Sequence, residues 1–199
     1  MKTVSFLHQK GGTGKSTLAV ATALSLAARG ASVMLMDADY QGTSSEWGNR
    51  FGDQFGVETR SQVQPTIHEE KKRFEKAIQW LIIDGPPTLS PMTESILMAS
   101  DRVVIPCRPS QPDIWALTWL AAIITKMGRE GRRIDAQVVF NMVREEELTP
   151  LEAEVERLGL AVYPQAIPAD GVFAAVFQGD ALPERWHDPM VALAGLTGV

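Results

Sequence analysis

The stretch Val4-Ser5-Phe6-Leu7-His8-Gln9-Lys10-Gly11-Gly12-Thr13-Gly14-Lys15-Ser16-Thr17 decides how this chain is read. A short apolar run, a glycine-rich turn and then Gly-Lys-Ser-Thr give a strand, a phosphate-binding loop and a helix. The ordinary loop pattern is G-x-x-x-x-G-K-[ST]. Gly14, Lys15 and Ser16 fit its end, Gln9 stands where the first glycine belongs, and Lys10 follows it. Gly11, Gly12 and Gly14 leave the backbone free to bring N–H groups close to phosphate oxygens. A helix over 15–29 would place its N-terminus and dipole at the same spot. Lys15 is then expected at the outer phosphates and the Ser16 hydroxyl on Mg²⁺, with Thr13 and Thr17 in the same cradle. A plain glycine turn is the alternative, and the complete motif behind a strand weighs against it.

Working outward, short β-rich runs alternate with helical patterns. Strands are expected near 3–8, 33–37, 80–84, 102–107, 136–141 and 160–164. Helices are expected near 15–29, 68–78, 90–99, 113–129, 148–158 and 188–196. Several strands are apolar at consecutive positions, which marks burial on both faces of a mostly parallel sheet. The alternation implies an α/β, doubly wound fold, here as a single domain over 1–199. Residues 38–68 are the least regular and suit a surface excursion or switch-like segment.

Two strands end in acids. Asp37 and Asp39 lie two apart, so alternation sends both to one face. Asp84 follows four apolar residues and precedes Gly85-Pro86-Pro87. In such sheets ligands sit beyond the carboxyl ends of the strands, where all these residues fall. A Mg²⁺-nucleotide needs a carboxylate near the metal and another group to orient water. Capping of the following turn is the alternative for each acid alone.

Lys10 to Ser16, Asp37-Ala38-Asp39-Tyr40-Gln41-Gly42 and Ile83-Asp84-Gly85-Pro86-Pro87, in that order, resemble the ParA/MinD group of deviant Walker ATPases. The resemblance spans at least residues 1–110, with a weaker match to Gly179-Asp180. It implies ATP and Mg²⁺ as ligands and slow, partner-stimulated ATP hydrolysis. Lys10 matches the signature lysine that reaches the partner's ATP in a nucleotide-bound homodimer. Lys15 matches the loop lysine, Ser16 a Mg²⁺ ligand, Asp39 the water-positioning acid, and Asp37 and Asp84 metal-side acids. Tyr40 replaces the proline usual in the family. The resemblance further implies nonspecific DNA binding and a ParB-like or adaptor partner, for segregation of DNA or positioning of a protein cargo.

A net charge of −5 argues against a chain coated in basic surface, but leaves room for a local patch. Lys126, Arg129, Arg132 and Arg133 form one candidate for DNA phosphates. Complementing a helix C-terminus explains them equally. Asn141, Pro168 and Asp170 are candidate base contacts, or simply turn residues. Trp115 and Trp119, four apart on one helix face, are expected in the core, with a partner-binding face as the alternative. His8 is expected to pack at the strand end. The one cysteine, Cys107, excludes an internal disulfide. With no apolar run long enough to span a membrane and no leader pattern, a cytoplasmic, nucleoid-associated location is expected. A MinD-like membrane ATPase would want a basic amphipathic tail, which 189–199 does not supply. A metabolic phosphate-loop enzyme remains a further alternative.

Overall fold

The computed structural model describes residues 1–195. In chain order the elements are β1 (Lys2–Phe6), α1 (Lys15–Ala28), β2 (Val33–Asp37), α2 (Thr43–Trp47), α3 (Asp53–Phe55), β3 (Val57–Ser61), α4 (Ile67–Glu70), β4 (Trp80–Asp84) and α5 (Pro91–Ala99). There follow β5 (Arg102–Cys107), α6 (Gln111–Trp115), α7 (Leu117–Arg129), β6 (Asp135–Val143), α8 (Thr149–Arg157), β7 (Ala161–Val162), β8 (Ile167–Pro168), α9 (Val172–Ala175) and α10 (His187–Leu193). The strands form one sheet in the order β3-β2-β4-β1-β5-β6-β7, with β8 also on β6. Every pairing is parallel.

The consecutive apolar residues are explained by burial on two faces. Val33, Leu35, Trp80 and Ile82 pack under α1 and α10. Their neighbours Met34, Met36, Leu81 and Ile83 pack against α5, α6 and α7. Each fully buried Leu or Ile contributes about 1.5–3 kcal/mol through loss of apolar surface from water. α1 is buried from Leu18 to Leu26, so its sequence carries no charge there. It stops at Gly30, whose left-handed φ of 79° lets Ala31 N donate back to the Leu26 carbonyl.

The structure departs from the sequence expectation in four places. Residues 38–61 are not an irregular excursion. They hold α2, a π-helical stretch Gly48–Gly52, α3 and the edge strand β3. Only Val57 of β3 is buried, and so polar an edge strand lacks the apolar signal of a central one. The helix expected over 68–78 is one turn, Ile67–Glu70, followed by a 3₁₀ turn Lys71–Arg73. The helix expected over 113–129 is two helices, breaking at Ala116. The strand expected over 160–164 is the two-residue β7, with β8 beyond it. The last residue of the helix expected over 188–196 lies outside the described residues.

Candidate functional site

Three strand ends meet at the centre of the sheet. β4 lies between β1 and β2, with Phe6 opposite Asp84 and Asp37 opposite Asp84 in register. The two acid motifs and the phosphate loop are therefore neighbours by strand pairing. Gly85 permits the closeness: a Cβ there would sit 2.4 Å from Leu7 Cδ2 and 2.8 Å from the Phe6 carbonyl.

The loop wraps a cavity of about 570 Å³ floored by Gly12, Gly14, Lys15 and Ser16 and walled by Asp39 and Met142. Gly11 and Thr17 also line it, whereas Lys10 does not. Gly14 is required twice over. Its φ is +98°, and a Cβ would lie 2.2 Å from Asn141 Nδ2. That Asn141 amide donates to the Thr13 carbonyl at 2.8 Å and ties β6 to the loop. Lys15 is buried and donates to the Lys10 carbonyl at 3.1 Å. Burial lowers its pKa, with Asp84 and Asp39 opposing.

Asp84 is 1% exposed; Oδ2 accepts a bond from Ser44 Oγ at 2.6 Å, while Oδ1 has no hydrogen-bond partner. Burial pushes its carboxyl up to about 7, with the Ser44 hydroxyl and the nearby Ser16 hydroxyl opposing. Asp37 is wholly buried: Oδ1 accepts Asp39 N at 3.0 Å and Oδ2 accepts Ser45 N at 2.7 Å. Burial raises its pKa too, against those backbone bonds. Its oxygens hold the backbone that aims Asp39. Asp39 itself is partly exposed at the cavity wall and accepts Gln41 N at 3.1 Å. Tyr40, in the place of the family's proline, is 85% exposed.

This donor set fits a Mg²⁺-nucleotide. Hydroxyl and carboxylate oxygens are hard ligands suited to Mg²⁺, which is commonly held by one or two carboxylates together with substrate phosphates. Among the described residues no cluster of three or more His, Cys, Asp or Glu could hold a metal by itself. The orphaned Asp84 Oδ1 and Thr13 Oγ1, both buried at the loop, are polar atoms left for a ligand to satisfy.

A second cavity, about 350 Å³, shares Thr17, Met142 and Ala174 with the first. Asn141, Pro168 and Asp170, from separate segments, are brought together in its wall. The Asp170 carboxylate already accepts Val172 N and Arg185 Nη2, each at 3.1 Å. Those bonds hold it below the ordinary carboxylate range. Met142 sits between the cavities at φ 60°. A non-glycine residue in that region costs on the order of 1 kcal/mol, a strain found at ligand clamps. Nothing in the local sequence marks Met142, or marks Ser44 within Thr43-Ser44-Ser45.

Lys10 Nζ pairs with Asp113 Oδ2 at 3.1 Å. His8 is 2% exposed and accepts Lys10 N at Nδ1. Burial, with the Lys15 charge beside it, lowers its pKa to about 4. Cys107 is buried, and burial pushes its thiol up to about 12, so it is inert.

One surface reading changes. Trp115 and Trp119 are 65% and 67% exposed rather than core. Ile114, Leu117, Leu120 and Ala121 take the inward face instead. In the basic segment, Arg132 donates to the Leu97 and Met98 carbonyls and Lys126 lies 4.0 Å from Glu130. Arg129 and Arg133 make no ion pair among the described residues and carry the exposed charge there. No helix among the described residues is long and apolar enough to cross a membrane.

The chain is 28% identical over 185 residues to the "Maintenance of carboxysome distribution protein A" of Halothiobacillus neapolitanus, covering 89% of this chain and 84% of that one. It is 29% identical over 185 residues to "Protein ParA" of Rhizobium radiobacter, covering 89% and 83%. The solved structure of apo McdA from Cyanothece shares the fold at a TM-score of 0.77, with 17% identity over 98% of this chain and 97% of that one. Residues 4–181 match the family described as the CobQ/CobB/MinD/ParA nucleotide binding domain. By that match over most of its length, this chain, with a phosphate loop and two strand-end acids on a parallel sheet, belongs to that ParA/MinD family of nucleotide-binding ATPases.

Proposed function

We propose that residues 1–199 act as one ATPase domain, an ATP-driven switch that positions cargo on nucleoid DNA. The observation that carries this reading is the placement of Lys10. It stands at the loop entrance, yet its side chain is outside the cavity that Lys15 lines. A lysine so placed does not serve its own subunit's cavity, and on leaving Asp113 it can serve a second subunit. ATP binds the loop, and two subunits close face to face, each Lys10 reaching the other's phosphates. Ser16 and Asp84, with Asp37 behind them, would hold Mg²⁺, which neutralises charge that develops on the phosphates. Asp39 orients the attacking water. Asn141, Pro168 and Asp170 frame the base.

Hydrolysis is slow until a ParB-like or adaptor protein stimulates it, and it releases the dimer from DNA. Arg129 and Arg133 are the cations that meet DNA phosphates, doubled in the dimer while net charge stays negative. Similarity to proteins named for carboxysome distribution and for ParA supports a cargo that is either a protein assembly or DNA.

A gel-shift assay with random-sequence DNA tests the reading. Binding is expected with ATP and Mg²⁺, and not with ADP or without nucleotide. Equal shifts in all three conditions, or none in any, would overturn it.

A further inference from the structure

Asp113 lies on α6 with its side chain 1% exposed, far along the chain from the phosphate loop. Three groups converge on its carboxylate. Lys10 Nζ meets Oδ2 at 3.1 Å, the Ser110 hydroxyl meets the same oxygen, and Arg108 Nε and Nη2 meet Oδ1 at 3.3 Å. The Lys10 side chain is 35% exposed and that of Arg108 39%. The pair is thus buried at the carboxylate and open to solvent at the two cations.

This asymmetry has a consequence for Lys10. A lysine bonded to a carboxylate has its charge compensated within its own chain and its side chain directed onto that chain. To reach another molecule's phosphates it must leave Asp113. A buried carboxylate stripped of every partner would oppose that departure strongly. Here Arg108 and Ser110 remain on Asp113 when Lys10 goes, so the exchange is reversible. In this structure the backbone of Lys10 is tied down: its N–H donates to His8 Nδ1 and its carbonyl accepts from Lys15 Nζ. Only the side chain has to move.

We infer that Asp113 parks Lys10 on its own subunit in the nucleotide-free chain and so sets the protein concentration at which ATP drives dimerisation. Asp113 is a positioning residue that acts through Lys10. Arg108 competes for the same carboxylate and weakens the hold. The inference rests on the dimer reading above and deepens it.

Two substitutions bracket the idea. Asp113→Asn removes the charge and keeps the shape, and Arg108→Gln removes the competitor at a half-exposed position. The full chain is examined by sedimentation velocity across protein concentration, with Mg²⁺ and a non-hydrolysable ATP analogue. Asp113→Asn is expected to dimerise at a roughly tenfold lower concentration, in keeping with loss of one partly exposed charge-assisted bond. Arg108→Gln is expected to shift the midpoint the other way. In the nucleotide-free monomer, labelling of Lys10 by an amine reagent, read by peptide mass spectrometry, should rise in Asp113→Asn and fall in Arg108→Gln. A merely structural role for Asp113 would not move Lys10 labelling in opposite directions. Unchanged labelling and midpoints in both variants would overturn the inference while leaving the dimer reading intact. A higher midpoint in Asp113→Asn would overturn it too. Failure of the unsubstituted chain and both variants to dimerise at any concentration would overturn the dimer reading and this inference with it.

Discussion

Ser44 Oγ donates to Asp84 Oδ2 across 2.6 Å, joining the helix after the first acid motif to the carboxylate of the second. Both side chains are buried, and the bond crosses 40 residues of sequence. Asp37 holds the same segment from the other side through Ser45 N. The position of Asp39 at the cavity wall is therefore set by two buried carboxylates that do not themselves face solvent.

Ser44→Ala tests that tie. It leaves a buried carboxylate oxygen without its donor, which costs about 1–3 kcal/mol. The midpoint of thermal unfolding should fall by roughly 2–12 °C in a chain of this size. Differential scanning fluorimetry without nucleotide is the measurement. An unchanged midpoint would show that the bond contributes little.

Gly14→Ala is expected to remove nucleotide binding almost entirely. The new Cβ would meet Asn141 Nδ2 at 2.2 Å, and φ +98° is strained for any side chain. Calorimetric titration with ATP and Mg²⁺ should show at least a hundredfold weaker binding, about 2.7 kcal/mol. Gly12→Ala meets no atom within 4 Å but shares the strain of a φ of +73°, so a smaller loss is expected.

Lys15→Ala and Asp39→Ala should separate binding from chemistry. Lys15 is buried at the cavity floor, so its loss should abolish the ATP-induced rise in melting temperature. Asp39 is on the wall, so its loss should leave that rise and cut phosphate release by tenfold or more. Normal turnover by Asp39→Ala would refute its assignment to water.

His8 gives the chain a stability slope in acid. Its pKa is about 4 in the fold against 6.5 unfolded, so the unfolded chain binds the extra proton first. The contribution is intact above pH 6.5 and is lost as pH falls to about 4, a change on the order of 3 kcal/mol. Asp84, whose carboxyl is raised to about 7, works in the opposite sense over the same range. Comparison with His8→Gln isolates the histidine. Urea unfolding at pH 7, 6, 5 and 4 should show the unsubstituted chain losing stability relative to the variant at each step down.

Trp115→Ala combined with Trp119→Ala should leave the fold nearly as stable as before, within about 1 kcal/mol, since both rings are mostly exposed. A large loss in urea unfolding would return them to a packing role.

What was legible in the sequence was local. The loop, the strand ending in Asp37 and the strand ending in Asp84 are contiguous motifs, and consecutive apolar residues report a sheet buried on both faces. These determined the fold class and the family. The edge strand β3 stayed hidden because only one of its residues is buried. Trp115 and Trp119 depart from the core expectation because helical spacing shows that two residues share a face, not whether that face turns inward. Tertiary structure alone decided that Asp37 and Asp84 are register partners, that Asn141 closes the loop from β6, and that Asp113 holds Lys10. Each of these joins segments at least 40 residues apart, and pairing of that kind depends on strand order and packing rather than on any local pattern.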